Sequence, residues 1–299
     1  MADIKLFDLG ASVKERPQST ILLERDLQTT IEKHMDVFFG VRFLKSEYVI
    51  SSGRMDSIGI DENNCPVIFE YKRSVNENVI NQGLFYLDWL LDHKADFKLL
   101  VIDKLGDEVA NQIDWSDPCV ICIAGDFTRY DIHAVNQMQR TIKLVKYRQY
   151  GNDLLLFEYL NAPSSRAIPE ASNTGVGSNG GSSSKTHIDK VASASNSMRT
   201  LYDSLCNYIE SLGDDLVATP LKYYLAYKKA KNVFCIELYG SYILLRSKID
   251  PDTVALEEGF TRNTKGIGHY GTGDLEVTIK NAADFQKAKP LIERGYTEA

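Results

Sequence analysis

Asp56, Glu70 and Lys72 are the residues in this 299-residue chain whose types and spacing could do chemistry. They stand in Gly53-Arg54-Met55-Asp56 and Val67-Ile68-Phe69-Glu70-Tyr71-Lys72-Arg73, which together read D-x13-E-x-K. Side chains two apart on a strand share a face, so Glu70 and Lys72 would point together. Two carboxylates can hold a hard divalent cation, and a neighbouring ammonium can orient a water or balance charge. That is the minimum apparatus for metal-assisted phosphodiester hydrolysis. The same pair would also serve as the polar face of a half-solvated strand, and so short a motif needs its context.

The surrounding elements supply that context. Val67-Ile68-Phe69 is a continuous apolar run, the pattern of a strand buried on both faces. An unpaired Glu and Lys there would be costly unless they form a site. Asp61-Glu62-Asn63-Asn64 is a turn cluster, so the chain reads as strand 55–60, turn, strand 66–72. That hairpin would bring Asp56 beside Glu70. Ile80, Leu84, Leu87 and Leu91 then mark a helix over 79–93, with Gln82 and Tyr86 one turn apart on an adjacent face. Upstream, Leu23, Leu27, Ile31, Met35 and Phe38 mark another amphipathic helix beginning near Leu22. Glu24 sits in its first turn, where a carboxylate also suits the helix dipole.

Leu23-Glu24-Arg25-Asp26-Leu27, Gly53-Arg54-Met55-Asp56, Phe69-Glu70-Tyr71-Lys72-Arg73 and Gln82-x3-Tyr86, in this order, resemble the PD-(D/E)xK nuclease superfamily, its RecB-like and NucS-like endonucleases above all. The resemblance covers roughly residues 20–125. It implies a restriction-endonuclease-like mixed sheet flanked by helices and Mg²⁺- or Mn²⁺-dependent cleavage of nucleic acid. Carried onto matching positions, Asp56 and Glu70 would ligate metal together with the Tyr71 carbonyl. Lys72 would position the attacking water, and Glu24 would be an accessory acid. Gln82, Tyr86 and Arg73 would support the site or contact the substrate. Met55, rather than proline, precedes the first acid.

The rest of residues 1–161 reads as α/β. Phe97–Ile102 and Cys119–Ala124 are apolar runs of strand length. Leu105, Val109 and Ile113 mark a helix between them, Ile132, Val135 and Met138 another, and strands follow near 142–149 and 153–160. Residues 162–197 turn to Ser, Gly, Asn and Ala, the composition of a flexible tether. Residues 198–299 read as a small α+β unit. A helix carries Leu201, Leu205, Tyr208, Ile209 and Leu212, and strands follow at 221–227, 233–238, 241–247 and 274–280. A last helix over 283–296 is distorted near Pro290. This unit resembles the uncharacterised domain often appended to predicted nucleases of this type. Lys222, Lys228, Lys229 and Lys231 with Tyr223, Tyr224 and Tyr227 could bind a nucleic-acid strand, although a solvated strand pair explains them better. Gly266–Gly273 precedes a strand instead of opening a helix, so it reads as a loop tip.

Net charge is −7, and residues 1–161 hold 18 Lys+Arg against 25 Asp+Glu. The acidity lies in the candidate nuclease unit, which argues against a broadly adhesive DNA binder. Affinity would rest on a few local basics (Lys143, Lys146 and Arg148), a dimer groove or the second unit. Five cysteines show no framework spacing, and Cys119 and Cys122 should face opposite sides of one strand. There is no signal peptide and no membrane-spanning apolar stretch, so the cytoplasm is the expected location. The leading reading is a Mg²⁺- or Mn²⁺-dependent endonuclease acting on DNA in preference to RNA, in repair or defence. Cutting both strands would favour a two-fold homodimer. Two other readings stay open: a nuclease-like module that holds nucleic acid without cutting it, and an adaptor whose acidic face docks a basic protein.

Overall fold

A computed structural model describes residues 4–10, 12–19, 24–51, 53–72, 78–161 and 185–299. The chain divides into two compact units, Met1–Pro163 and Ser164–Ala299.

The first unit opens with an antiparallel hairpin, β1 (Leu6–Leu9) and β2 (Val13–Arg16). Helices α1 (Glu24–Lys33) and α2 (Met35–Phe39) follow, then strands β3 (Val41–Ile50), β4 (Gly53–Asp61) and β5 (Pro66–Lys72). Next come α3 (Asn78–Asp92), α4 (Lys94–Leu105), α5 (Asp107–Asn111), β6 (Cys119–Ala124), α6 (Arg129–Gln137), β7 (Thr141–Tyr150) and β8 (Leu154–Tyr159). The sheet runs in the order β3-β4-β5-β6-β7-β8. It is mixed: β5, β6 and β7 are parallel, and the pairs on either side are antiparallel. The mixed α/β sheet flanked by helices expected from the sequence is therefore present.

Both faces of the sheet are covered, which is why β5 and β6 are apolar almost throughout. On one face Leu27, Ile31, Met35 and Phe39 of α1 and α2 pack on Val67, Phe69, Tyr71, Ile121 and Ile123. On the other, Val79, Ile80, Leu87 and Leu90 of α3 and Phe97 and Val101 of α4 pack on Ile58, Ile68, Val120 and Leu144. Gly83 lets α3 approach the sheet, since a Cβ there would lie 2.6 Å from a Val120 methyl. Cys119 and Cys122 fall on opposite faces, both buried, and each is a free thiol.

Several elements differ from the sequence reading. Residues 97–102, expected as a strand, lie within α4. Phe97 and Val101 are buried one turn apart while Leu99 is 64 % exposed, so the burial follows a helix. Gly106, with φ +88°, separates α4 from α5, and the single helix expected through Leu105–Ile113 is not formed. The amphipathic helix from Leu22 is broken between Lys33 and Met35, and Gly40 at φ +65° ends α2 in a left-handed cap. Strand β3 and the β1–β2 hairpin have no counterpart in the sequence reading.

The second unit contains α7 (His187–Ala192), α8 (Asn196–Glu210), β9 (Val217–Pro220), β10 (Leu225–Lys228), β11 (Asn232–Leu238), β12 (Ile243–Ser247), β13 (Thr261–Asn263), β14 (Leu275–Ile279) and α9 (Ala282–Thr297). Its antiparallel sheet runs β13-β14-β12-β11-β10-β9. Leu205, Ile209, Phe285, Ala288 and Ile292 from α8 and α9 share a core with Phe234, Ile236, Leu245 and Val277. The strand expected at 221–227 is split, with residues 221–224 forming the connection between β9 and β10. Residues 187–192 and 196–197, assigned by composition to the tether, are helical. Thr186 and Ser195 cap α7 and α8 by accepting from the Asp189 and Met198 amides at 3.2 and 3.3 Å. Residues 162–184 of the expected tether lie outside the described residues.

Candidate active site

The backbone ladder between β4 and β5 ends at the pair Ser57↔Phe69. One residue further along each strand stand Asp56 and Glu70. Their carboxylates take over as acceptors there. The Asp56 amide donates to Glu70 Oε1 at 3.3 Å, and the Tyr71 amide donates to Asp56 Oδ2 at 3.0 Å. The two carboxyl groups expected to converge are thus brought together by reciprocal contacts across the hairpin.

Their environment is hostile to charge. Glu70 is fully buried, and its Oε2 has no hydrogen-bond partner among the described residues. Burial, followed by the Asp56 charge, pushes the Glu70 carboxyl up to about 9. Burial also raises Asp56, against the opposing pull of the Tyr71 amide and Lys72. Lys72 closes the group. Its side chain is 18 % exposed, and its Nζ lies 3.7 Å from Glu24 Oε1. Glu24 is therefore the ion-pair partner of Lys72. Among the described residues no three His, Cys, Asp or Glu side chains cluster as metal ligands. The available donors are the two carboxylates and main-chain oxygens, among them that of Tyr71, which follows Glu70 in sequence. An all-oxygen set with an orphaned, buried carboxylate oxygen fits a hard dication such as Mg²⁺ or Mn²⁺.

Gln82 and Tyr86 face the start of β4. Gln82 Nε2 donates to Tyr86 Oη at 3.1 Å, and the Arg54 amide donates to the same oxygen at 3.2 Å. Gly53 permits this approach, because a Cβ there would lie 2.9 Å from the Tyr86 ring. The pair thus supports the strand that carries Asp56. Arg73, the remaining expected substrate contact, lies outside the described residues.

Helix α1 contributes, beside Glu24, two residues that motif reading missed, Gln28 and Glu32. Glu24, Gln28 and Glu32 recur every four positions, one stripe beside the buried Leu27 and Ile31. Gln28 Nε2 donates to the Asp56 carbonyl and to Glu32 Oε1, both at 2.9 Å. Ser57 Oγ donates to Glu32 Oε1 at 2.5 Å. The stripe runs along the site: Glu24 meets Lys72, Gln28 holds Asp56 by its backbone, and Glu32 holds the next residue. The period-four spacing of Glu24, Gln28 and Glu32 was the available signal.

Other expected contributors are otherwise engaged. Lys146 is buried in an ion pair with Asp126 at 2.6 Å, and Arg148 pairs with Glu158 at 3.5 Å. Neither is a surface cation for nucleic acid. Tyr224 and Tyr227 of the second unit are buried, and the Tyr227 hydroxyl donates to Glu210 at 2.9 Å. They belong to the core of that unit and offer no stacking platform. The Gly266–Gly273 segment is the loop between β13 and β14.

No family model matches the chain. It is 27 % identical over 287 residues to an uncharacterized protein of Haemophilus influenzae, covering 94 % of this chain and 95 % of that one, so the likeness spans both units. Among solved structures it is similar to a repair endonuclease from Pyrococcus abyssi, at 16 % identity and a TM-score of 0.29. It is also similar to EndoMS in a complex with dsDNA, at 17 % identity and the same TM-score. Each likeness covers 45 % of this chain and 51 % of the other, so the chain spans about half the length of the solved structures it matches. Among the described residues no helix is long and apolar enough to cross a membrane.

Proposed function

We propose that the first unit is a Mg²⁺- or Mn²⁺-dependent nuclease, an endonuclease of the PD-(D/E)xK type that hydrolyses phosphodiester bonds of DNA. One observation carries this reading. Asp56 and Glu70 converge where the β4–β5 ladder stops, and Glu70 keeps a buried oxygen with no partner among the described residues, two positions before Lys72. Proteins rarely leave a buried carboxylate oxygen unmatched unless something else satisfies it.

Asp56 and Glu70 would hold the cation, with the Tyr71 carbonyl as a main-chain donor. When bound, the cation would supply Lewis-acid polarisation of the phosphate and acidification of a water. Lys72, held toward the site by Glu24, orients the nucleophile and offsets negative charge at the phosphate. Gln28 fixes the height of the Asp56 backbone, and Tyr86 with Gln82 braces the strand from the other side. DNA as substrate, a two-fold dimer for cutting both strands, a cytoplasmic setting in repair or defence, and partner binding by the second unit belong to the same proposal.

Purified full-length chain incubated with labelled single- and double-stranded DNA and RNA tests it. Cleavage of DNA with Mn²⁺ or Mg²⁺, none in EDTA, and none after Asp56→Asn is the expected result. Binding without cutting under every condition would make the unit a non-cleaving module. Neither binding nor cutting would leave the protein-docking reading.

A further inference from the structure

Arg54 stands two residues before Asp56 on β4, about 7 Å along the strand. Its backbone is pinned by the Tyr86 hydroxyl at 3.2 Å, yet its side chain is 58 % exposed. Arg54 Nη1 meets Glu47 Oε2 at 2.5 Å. Glu47 lies on β3 between the registered pairs Ser46↔Ser57 and Tyr48↔Met55, opposite Asp56. Its φ is +52°, a left-handed conformation that a glutamate inside a strand adopts only when its surroundings impose it. The other Glu47 oxygen lies 3.5 Å from Gln28 Nε2, the amide that also holds the Asp56 carbonyl.

A strained backbone thus presents a carboxylate to the one guanidinium on the strand that carries Asp56. Exposed ion pairs hold weakly, so a stronger anion can displace this one. The arginine fork matches phosphate oxygens two at a time. In a unit with 25 acidic against 18 basic residues over 1–161, a cation beside the site is where a strand backbone would be gripped. We propose that Arg54 binds a backbone phosphate of the substrate and that Glu47 is the carboxylate it exchanges for that phosphate. This rests on the nuclease reading, whose residues do not include Arg54 or Glu47.

The test uses the full chain carrying Asp56→Asn, so that the probe survives, and fluorescence anisotropy with labelled DNA in single- and double-stranded form. Adding Arg54→Ala should weaken binding about tenfold at low salt. It should also shrink the affinity lost between about 50 and 200 mM salt roughly 3.5-fold, the share of one phosphate contact. Arg54→Lys should restore the salt dependence while leaving affinity below the parent. Glu47→Gln should tighten binding about threefold by removing the competing charge. Glu47→Gly, which accepts the left-handed backbone, should do the same without strain.

Unchanged affinity and salt slope in Arg54→Ala would overturn the assignment of Arg54. Weakened or unchanged binding in both Glu47 variants would overturn the exchange. A wild-type chain that cuts DNA while Arg54→Ala binds normally refutes this inference alone. A wild-type chain that neither cuts nor binds refutes the nuclease reading beneath it.

Discussion

Replacing Glu70 by Gln should make the metal-free protein more stable at neutral pH, the reverse of most core substitutions. In the folded chain the Glu70 carboxyl sits at about 9 against an ordinary 4.5. Between those values the folded state holds a proton that the unfolded chain has released. Stability therefore falls as pH rises through this window, at about 1.4 kcal/mol per pH unit for one group. From pH 5 to pH 8 the full shift amounts to about 4 kcal/mol, or about 2 if relaxation of the site halves it. For a unit of this size that is a loss of roughly 5–15 °C in thermal midpoint. Asp56, also raised, adds a contribution of the same sign. Gln keeps the shape and stays neutral, so its curve should be flatter over this range. The readout is tryptophan fluorescence in EDTA, because both tryptophans, Trp89 and Trp115, belong to the first unit. Adding Mn²⁺ should then restore the wild type increasingly as pH rises, by about 2.7 kcal/mol at a hundredfold excess over Kd, and should leave Glu70→Gln unmoved. Parallel curves for the two proteins in EDTA would show that Glu70 carries no unusual proton, and the electrostatic account of the site would be wrong.

Lys72→Ala and Asp56→Asn should each lower Mn²⁺-dependent cleavage at least about a hundredfold while shifting the thermal midpoint little, measured on gels and by fluorescence side by side. Tyr86→Phe leaves the Arg54 amide and the Gln82 side chain without their shared acceptor. It should destabilise the first unit by about 1–2 kcal/mol and slow cleavage severalfold, seen in urea titration and initial rates. Gly83→Ala drives a Cβ to 2.6 Å from Val120. The overpacking should outweigh the gain in helix propensity by about 1 kcal/mol, and Val120→Ala in the same chain should relieve it, read as a coupling energy in a double-mutant cycle. In the second unit Arg246 is buried between Glu237 and Glu276. Arg246→Met strands both carboxylates and should lose about 3–5 kcal/mol, followed by circular dichroism, while Gln at both glutamates should recover much of it.

Local patterns made the central hairpin legible. Turn residues at 61–64 and the apolar run before Glu70 fixed where β4 and β5 meet, and the period of α3 placed Gln82 and Tyr86 on it. Patterns misled where an apolar run could serve either element type. Phe97–Ile102 has the composition of a strand, but within it Phe97 and Val101 are the fully buried residues while Leu99 is exposed, and that period belongs to a helix. Strand β3 escaped notice for the opposite reason. Its burial is irregular, with a register shift between Phe43 and Lys45 and a left-handed Glu47, so no alternation survives to be read. The start of the second unit was hidden by its own caps, since Thr186 and Ser195 look like linker residues until a helix uses them.

The chemistry-bearing side chains were legible because Asp, Glu and Lys at hairpin spacing are a local signal, whereas the residues that hold them act between elements. Gln28 is thirteen positions before Val41 and twenty-eight before Asp56, and apart from its period-four spacing with Glu24 and Glu32 it reads like the polar positions of any amphipathic helix. Only the fold shows that α1 lays this stripe against the end of β4. An arrangement of this kind explains why the motif could single out Glu24 while its partner was not foreseen: the contact with Lys72 depends on where α1 crosses the sheet. The same dependence makes α1 the mechanical support of the Asp56 carboxylate. The buried Leu27 and Ile31 anchor the helix from below, and Gln28 and Glu32 carry that rigidity to the two residues where the β4–β5 ladder ends.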